Sequence, residues 1–380
     1  MNPPSRQQRL RRRLALRAAA CLALLGITLL GCVVLIVRML CALEGRSGLE
    51  ALTVLAALLA GSLLGSILLG WLWVPAPEGH GILLPDELVP GFRRRIDRLC
   101  DRLGARRIHR VLITMDVNAA VVCRPALGAI GPMRNTLLLG IPLAHSLTPR
   151  QLSAVLAHEL AHLSAQRDAV GAWGAHLRAW WLRCFDRIDA HRSFAAHCAR
   201  HLFAATARID LTESIELSRL DEFEADRLAA RAVGGPALVG ALIEVAMKDR
   251  FLQEDYWTKV MEQARSRRRP VIRPFREMGL GMQVGFVRHD ALAGLDHLLR
   301  TSPPADAPDT HPSLAERLAA LRVGHNGGTE EAPEGPSAAQ HYFADLLPAL
   351  SAAFDRMWWQ SSSEDWLRAY HEGRVRLDRQ

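Results

Sequence analysis

Thr148-Pro149-Arg150-Gln151-Leu152-Ser153-Ala154-Val155-Leu156-Ala157-His158-Glu159-Leu160-Ala161-His162 is the stretch on which the reading of this chain turns. Thr148 can cap a helix, Pro149 suits the first helical position, and Gln151 completes a capping box. The helical pattern then runs unbroken to His162. Residues i and i+4 lie one turn apart, so the imidazoles of His158 and His162 leave the same face and can meet at one metal ion. Zinc accepts neutral imidazole nitrogen and keeps a position open when only three protein groups bind it. Glu159, beside the first imidazole, can reach a water instead of the metal and act as a general base.

The third ligand must come from farther along. One zinc subclass needs a glycine and then a histidine at the third and sixth positions after the second histidine; Ala165 and Asp168 stand there. No glutamate occurs between Glu159 and Glu213, which removes a thermolysin-like glutamate ligand within a few dozen residues. The first well-placed helical acids form S-R-L-D-E-F-E-A-D, Ser218 to Asp226. Glu222 and Asp226 are one turn apart, so a ligand and a supporting carboxylate can share a face, whereas Glu224 points some 200° from Glu222.

Upstream of the helix, Val111–Thr114 with Val121–Val122 and Thr136–Ile141 read as two strand-like segments, and Gly91–Leu103 carries apolar residues at helical spacing. Pro75 to Pro90 is turn-rich and reads as a linker. Farther upstream, Ala18–Val37 and Ala51–Val74 are free of charge, each long enough to cross a hydrocarbon core of about 30 Å, and the second ends in Trp71 and Trp73. Arg6, Arg9, Arg11, Arg12, Arg13 and Arg17 precede the first span, while the 38–50 connector holds only Arg38 and Arg46. That asymmetry predicts a cytoplasmic N-terminus and a cytoplasmic domain after Val74. Leu29-Leu30-Gly31-Cys32 is similar to a lipoprotein signal, but the apolar run continues past Cys32. Gly61 and Gly65 form a G-x-x-x-G that can let helices approach, although glycine is common in such spans.

A net charge of +8 and a pI near 9.6 raise the question of nucleic acid. The basic residues are spread along the chain, only Lys248 and Lys259 are lysine, and no nucleic-acid-binding motif is present, so no nucleic-acid partner is expected. Seven cysteines, an odd count without a C-x-x-C pair, fit a reducing compartment. Gly324–Pro336 is a linker by composition, and the residues after it read as amphipathic helices with Trp358, Trp359 and Trp366.

The chain resembles the HtpX and CAAX prenyl protease group of membrane gluzincins. The likeness covers about 80–323 and rests on V-L-A-H-E-L-A-H (155–162), S-R-x-x-E-x-E-A-D (218–226), H-P-S-L-A-E-R-L-A-A-L (311–321) and the Asn118-Ala119 pair before a strand. It implies one zinc ion held by His158, His162 and Glu222, with Glu159 as catalytic base and Asp226 orienting His158. It further implies His311 as a donor near the scissile carbonyl and Arg317 as a structural or oxyanion-side partner. In such folds the strand before the metal helix can hold substrate by strand addition, which points to Asn135, Thr136, Leu137, Leu138 and Leu139. The chain departs from the group between the zinc motifs. There W-G-A-H-L-R-A-W-W-L-R (173–183) carries Arg178 and Arg183 and makes a poor span, its tryptophans suited to core packing or to a membrane face. Prenyl-protein processing is therefore not implied.

The expectation is an α+β, predominantly helical zincin-like domain (75–323) with a small sheet. It follows a basic N-terminus (1–17) and a transmembrane hairpin (18–74), and precedes a linker (324–336) and a helical segment (337–380). The expected activity is zinc-dependent endopeptidase action on polypeptides, including unfolded or membrane proteins, at a bacterial-type inner membrane. Two alternatives remain: a membrane scaffold with a structural zinc site, and a periplasmic lipoprotein protease of the same kind.

Overall fold

The computed structural model describes residues 5–41, 48–72, 81–126, 132–164, 169–190, 194–287, 311–322 and 335–377, with isolated positions between 290 and 299. Trp73, Ala165, Asp168, the stretch 75–80 and the linker 324–334 lie outside the described residues. In chain order the first helices are α1 (Arg6–Cys41), α2 (Leu49–Leu72), α3 (Pro90–Leu103), α4 (Ile141–Ser146), α5 (Pro149–Ser164), α6 (Ala169–Ala190) and α7 (Phe194–Val233). They are followed by α8 (Gly235–Phe251), α9 (Trp257–Glu262), α10 (Pro274–Gly285), α11 (Leu314–Leu321), α12 (Ala338–Phe343) and α13 (Leu347–Leu377). The strands are β1 (Ile82–Leu83), β2 (Arg110–Thr114), β3 (Ala119–Pro125) and β4 (Met133–Gly140). The architecture is α+β and predominantly helical. Two compact units divide the chain: one takes residues 1–78, 123–134 and 168–220, the other 79–122, 135–167 and 221–380.

In the first unit, α1 is a single 36-residue helix that starts well before the apolar run. No proline lies between Arg6 and Cys41, and Arg, Leu and Ala are strong helix formers, so the basic segment forms the opening turns of the helix that carries the apolar run. Leu24, Ile27, Leu30, Leu59 and Leu63 are each more than half exposed along α1 and α2. Bare aliphatic surface of this extent is out of place in water. Both helices are long and apolar enough to cross a membrane. Gly61 and Gly65 face α1: a Cβ on Gly61 would stand 3.4 Å from Ile36, and one on Gly65 3.9 Å from Cys32. Cys32 is buried there, inside an unbroken helix. Trp180 and Trp181 are buried too, packed with Cys184 against Ala18, which favours packing for those two tryptophans.

The second unit is built on the sheet, ordered β1-β2-β4-β3. β1 pairs antiparallel with β2 (Ile82 opposite Ile113), and β2 runs parallel to β4 from Arg110 opposite Thr136 to Thr114 opposite Gly140. The segment read from sequence as Val111–Thr114 with Val121–Val122 is thus two separate strands, β2 and β3. Gly140 ends β4 where a Cβ would overlap the Asp116 carbonyl, and its N–H donates to the Asn118 carbonyl at 2.8 Å. Only glycine lets the chain turn there from the sheet into α4 and then α5. The predicted cap of α5 is present: the Gln151 N–H donates to Thr148 Oγ1 (3.3 Å), and the Thr148 N–H donates to Gln151 Oε1 (3.0 Å).

Phe92, Ile96, Leu99 and Leu103 of α3 are buried against the same core as Leu152, Leu156, Leu160 and Leu163 of α5. The last helices complete that core with Phe343, Phe354, Trp358 and Trp366. Trp366 is fully buried, and its indole N–H donates to the Arg267 carbonyl at 2.9 Å. Truncating such a ring costs about 3–5 kcal/mol.

Candidate metal centre

The expected residues meet within the second unit. Helix α5 presents His158 and His162 from successive turns, with ring centroids 5.0 Å apart and planes at 89°. Glu222, on α7, closes the group: its Oε2 lies 3.3 Å from His158 Nε2, and its Oε1 3.5 Å from His162 Nε2. One donor atom from each residue lies within 4.8 Å of the others. A tetrahedral ion with bonds of about 2.0–2.1 Å sets its ligand atoms about 3.3–3.4 Å apart, and each imidazole Nε2 lies near that distance from one of the two Glu222 oxygens, so the donor set suits zinc. Among the described residues the gathered donors are His158, His162 and Glu222.

Behind the donors lies a second tier of charges. Asp226, one turn past Glu222 and almost fully buried, has Oδ1 2.8 Å from His158 Nδ1. The carboxylate accepts from Nδ1–H, which leaves Nε2 facing Glu222 and able to serve a metal. Arg317 binds the same carboxylate through Nε (2.8 Å) and a terminal nitrogen (2.6 Å). That terminal nitrogen lies 3.2 Å from His158 Nδ1, and since both are donors they share Asp226 instead of bonding each other. Arg317 is held by α11, whose start is set by a capping box between Ser313 and Glu316. His311, just before that helix, has Nδ1 3.1 Å from Glu222 Oε1 and is 67% exposed. Glu224, in the same stretch, pairs instead with Arg227.

The electrostatics follow from this packing. Burial disfavours charge on His158, but the Asp226 and Glu222 carboxylates outweigh it and raise its pKa to about 9. Burial lowers His162 to about 4, with the neighbouring His158 adding to the effect. Burial raises Glu159 to about 7. For Glu222 burial also acts upward, yet hydrogen bonds from His158 and His311 hold its carboxyl well below the usual range. Burial works against the charges of Asp226 and Arg317, and their mutual hydrogen bonds reverse it for both.

The strand assigned to substrate requires correction. Asn135, Thr136, Leu137, Leu138 and Leu139 lie in β4, between β2 and β3, and Asn135 and Leu137 are fully buried. A strand bonded on both sides has no backbone groups left for an incoming chain. The sheet edge on that side is β3, which sequence reading merged with β2. The signal was the Asn118-Ala119 break between the two apolar runs.

A comparison with curated proteins finds no match. A comparison with protein families matches Peptidase family M48 over residues 127–324, a span that holds the His158, His162 and Glu222 group with Asp226, His311 and Arg317. With the match covering about half of the chain and the His-His-Glu group assembled inside it, the chain belongs to Peptidase family M48, a family of zinc metallopeptidases.

Proposed function

We propose that this chain is a membrane-anchored zinc endopeptidase whose general base is Glu159. The observation that carries the reading is the three-donor group of His158, His162 and Glu222 with Glu159 next to the first ligand and Asp226 behind it. When bound, zinc supplies Lewis-acid activation of water and of the peptide carbonyl. Glu159 takes the proton from the attacking water and passes it to the leaving nitrogen. Its enclosed setting, which raises the carboxyl to about 7, suits a group that must both accept and return a proton near neutrality. Asp226 and Arg317 keep His158 in one tautomer and orientation. His311, exposed beside Glu222, is placed to donate to a substrate oxygen. An extended substrate would add to the edge strand β3.

The exposed aliphatic faces of α1 and α2 support anchoring, and the arginine excess before Ala18 supports a cytoplasmic N-terminus and catalytic domain. Cys32, buried within a continuous helix, supports a span over a lipoprotein signal. Unfolded or membrane polypeptides are the substrate class that the resemblance in the zinc motifs supports, with membrane-protein quality control as the setting. The test is proteolysis of an unfolded protein substrate by the purified full chain, with and without a chelator, alongside Glu159→Gln. The wild type should cleave only with zinc, while Glu159→Gln should hold zinc and cleave nothing. Cleavage that persists in Glu159→Gln would show that this residue is not the base. Zinc binding without cleavage in the wild type would favour the scaffold.

A further inference from the structure

Helix α1 is longer than a bilayer requires, and its extra turns have specific partners. Its 36 residues make a rod of about 54 Å, against a hydrocarbon core of about 30 Å. The apolar run begins at Ala18, so Arg6–Arg17 precede it. Leu10 and Leu14 are buried against Leu217 of α7. Arg17 donates to Asp210 Oδ1 (2.6 Å) and to Glu213 Oε2 (2.9 Å), while the Trp181 indole N–H donates to Asp210 Oδ2 (2.8 Å). Asp210 is completely buried. This tie sets the two helices in register: the residues around Asp210 stand level with residue 17, the last position before the apolar run.

The outward faces at that level share one composition. On α1 they carry Arg12, Arg13 and Leu16, the leucine 60% exposed. At about 100° per residue, Arg12 and Leu16 point away from the buried Leu10–Leu14–Ala18 stripe. On α7, Arg208 is exposed beside Ile209 and Leu211, each at least half exposed. Bare aliphatics flanked by guanidinium groups suit the boundary of a bilayer, where the aliphatic tips enter the acyl layer and arginine pairs with phosphate. Inorganic phosphate in water would find the arginines but leave the aliphatics without a partner. We propose that this rim binds the anionic headgroups of phospholipids in the leaflet nearest the N-terminus. The proposal rests on α1 being a membrane span.

The test uses the full chain in phosphatidylcholine bilayers containing phosphatidylglycerol, with spin-labelled versions of both lipids reporting which one contacts the protein. The wild type should favour phosphatidylglycerol, with the preference weakening in salt. A basic residue near an anionic surface is worth about 1 kcal/mol, or about fivefold, so Arg12→Gln/Arg13→Gln/Arg208→Gln should remove up to about a hundredfold of preference. Replacing the same three residues by lysine should retain it, which separates lost charge from lost fold. Equal contact with both lipids in the wild type, or full preference in the glutamine variant, overturns the rim. An alkaline wash of the membranes tests the premise: protein that washes off refutes the span and the rim together. Protein that stays without a lipid preference refutes the rim alone.

Discussion

Replacing Asp226 by Ala separates orientation of a ligand from stability of the fold. The carboxylate is 1% exposed and holds three contacts: Arg317 Nε at 2.8 Å, an Arg317 terminal nitrogen at 2.6 Å and His158 Nδ1 at 2.8 Å. Without it, the nearest carboxylate to Arg317 in this network is Glu222, at 4.0 Å. Removing one member of a buried ion pair costs about 3–5 kcal/mol. Arg317 is 17% exposed and keeps Glu222 within reach, so the lower end, about 3 kcal/mol, is expected. His158 also loses the acceptor that fixes its tautomer, for which zinc affinity should fall about 10- to 100-fold. In Asp226→Ala/Arg317→Met no guanidinium is left uncompensated, so most of the lost stability should return while zinc affinity stays low. Denaturant unfolding of chelator-treated protein reads the first quantity, and competition with a chromophoric chelator reads the second. Wild-type zinc affinity in Asp226→Ala would refute the orienting role. Recovery of affinity together with stability in the double variant would show that the loss was only global loosening.

Other outcomes follow from the same structure. Glu222→Ala should lose zinc on dialysis, whereas Glu224→Ala, which removes a partner of Arg227, should retain it; the reverse result would move the third ligand. His145 packs its ring against Gly279, and burial lowers its pKa from 6.5 to about 4. Between those values the unfolded chain binds a proton that the folded chain refuses, so stability falls as pH drops through 6.5 and levels off near 4. The fall has an upper bound of about 3 kcal/mol. His145→Gln should flatten that dependence in unfolding titrations at about pH 7 and about pH 5; an unchanged slope would place the proton uptake elsewhere. Reporter fusions after residue 90 should be active in the cytoplasm, and a periplasm-active fusion would reverse the topology.

What the sequence by itself determined was local. The capping box at Thr148, the i,i+4 histidines, the one-turn relation of Glu222 to Asp226 and the charge-free runs near the N-terminus all lie within a few turns of chain, where side-chain spacing dictates geometry. Tertiary structure decided which of these segments face one another. The order β1-β2-β4-β3 depends on a parallel pairing of β2 with β4 across an intervening strand, and no short-range pattern distinguishes an interior strand from an edge. That is why the sequence presents β4 as open to substrate when β3 is the edge. The pairings of Arg317 with Asp226, 91 residues apart, and of Arg17 with Asp210, 193 apart, likewise leave no trace in local periodicity. Such contacts are selected by how buried charges can be matched once the helices pack, because an unmatched charge in that interior costs more than any local preference can supply.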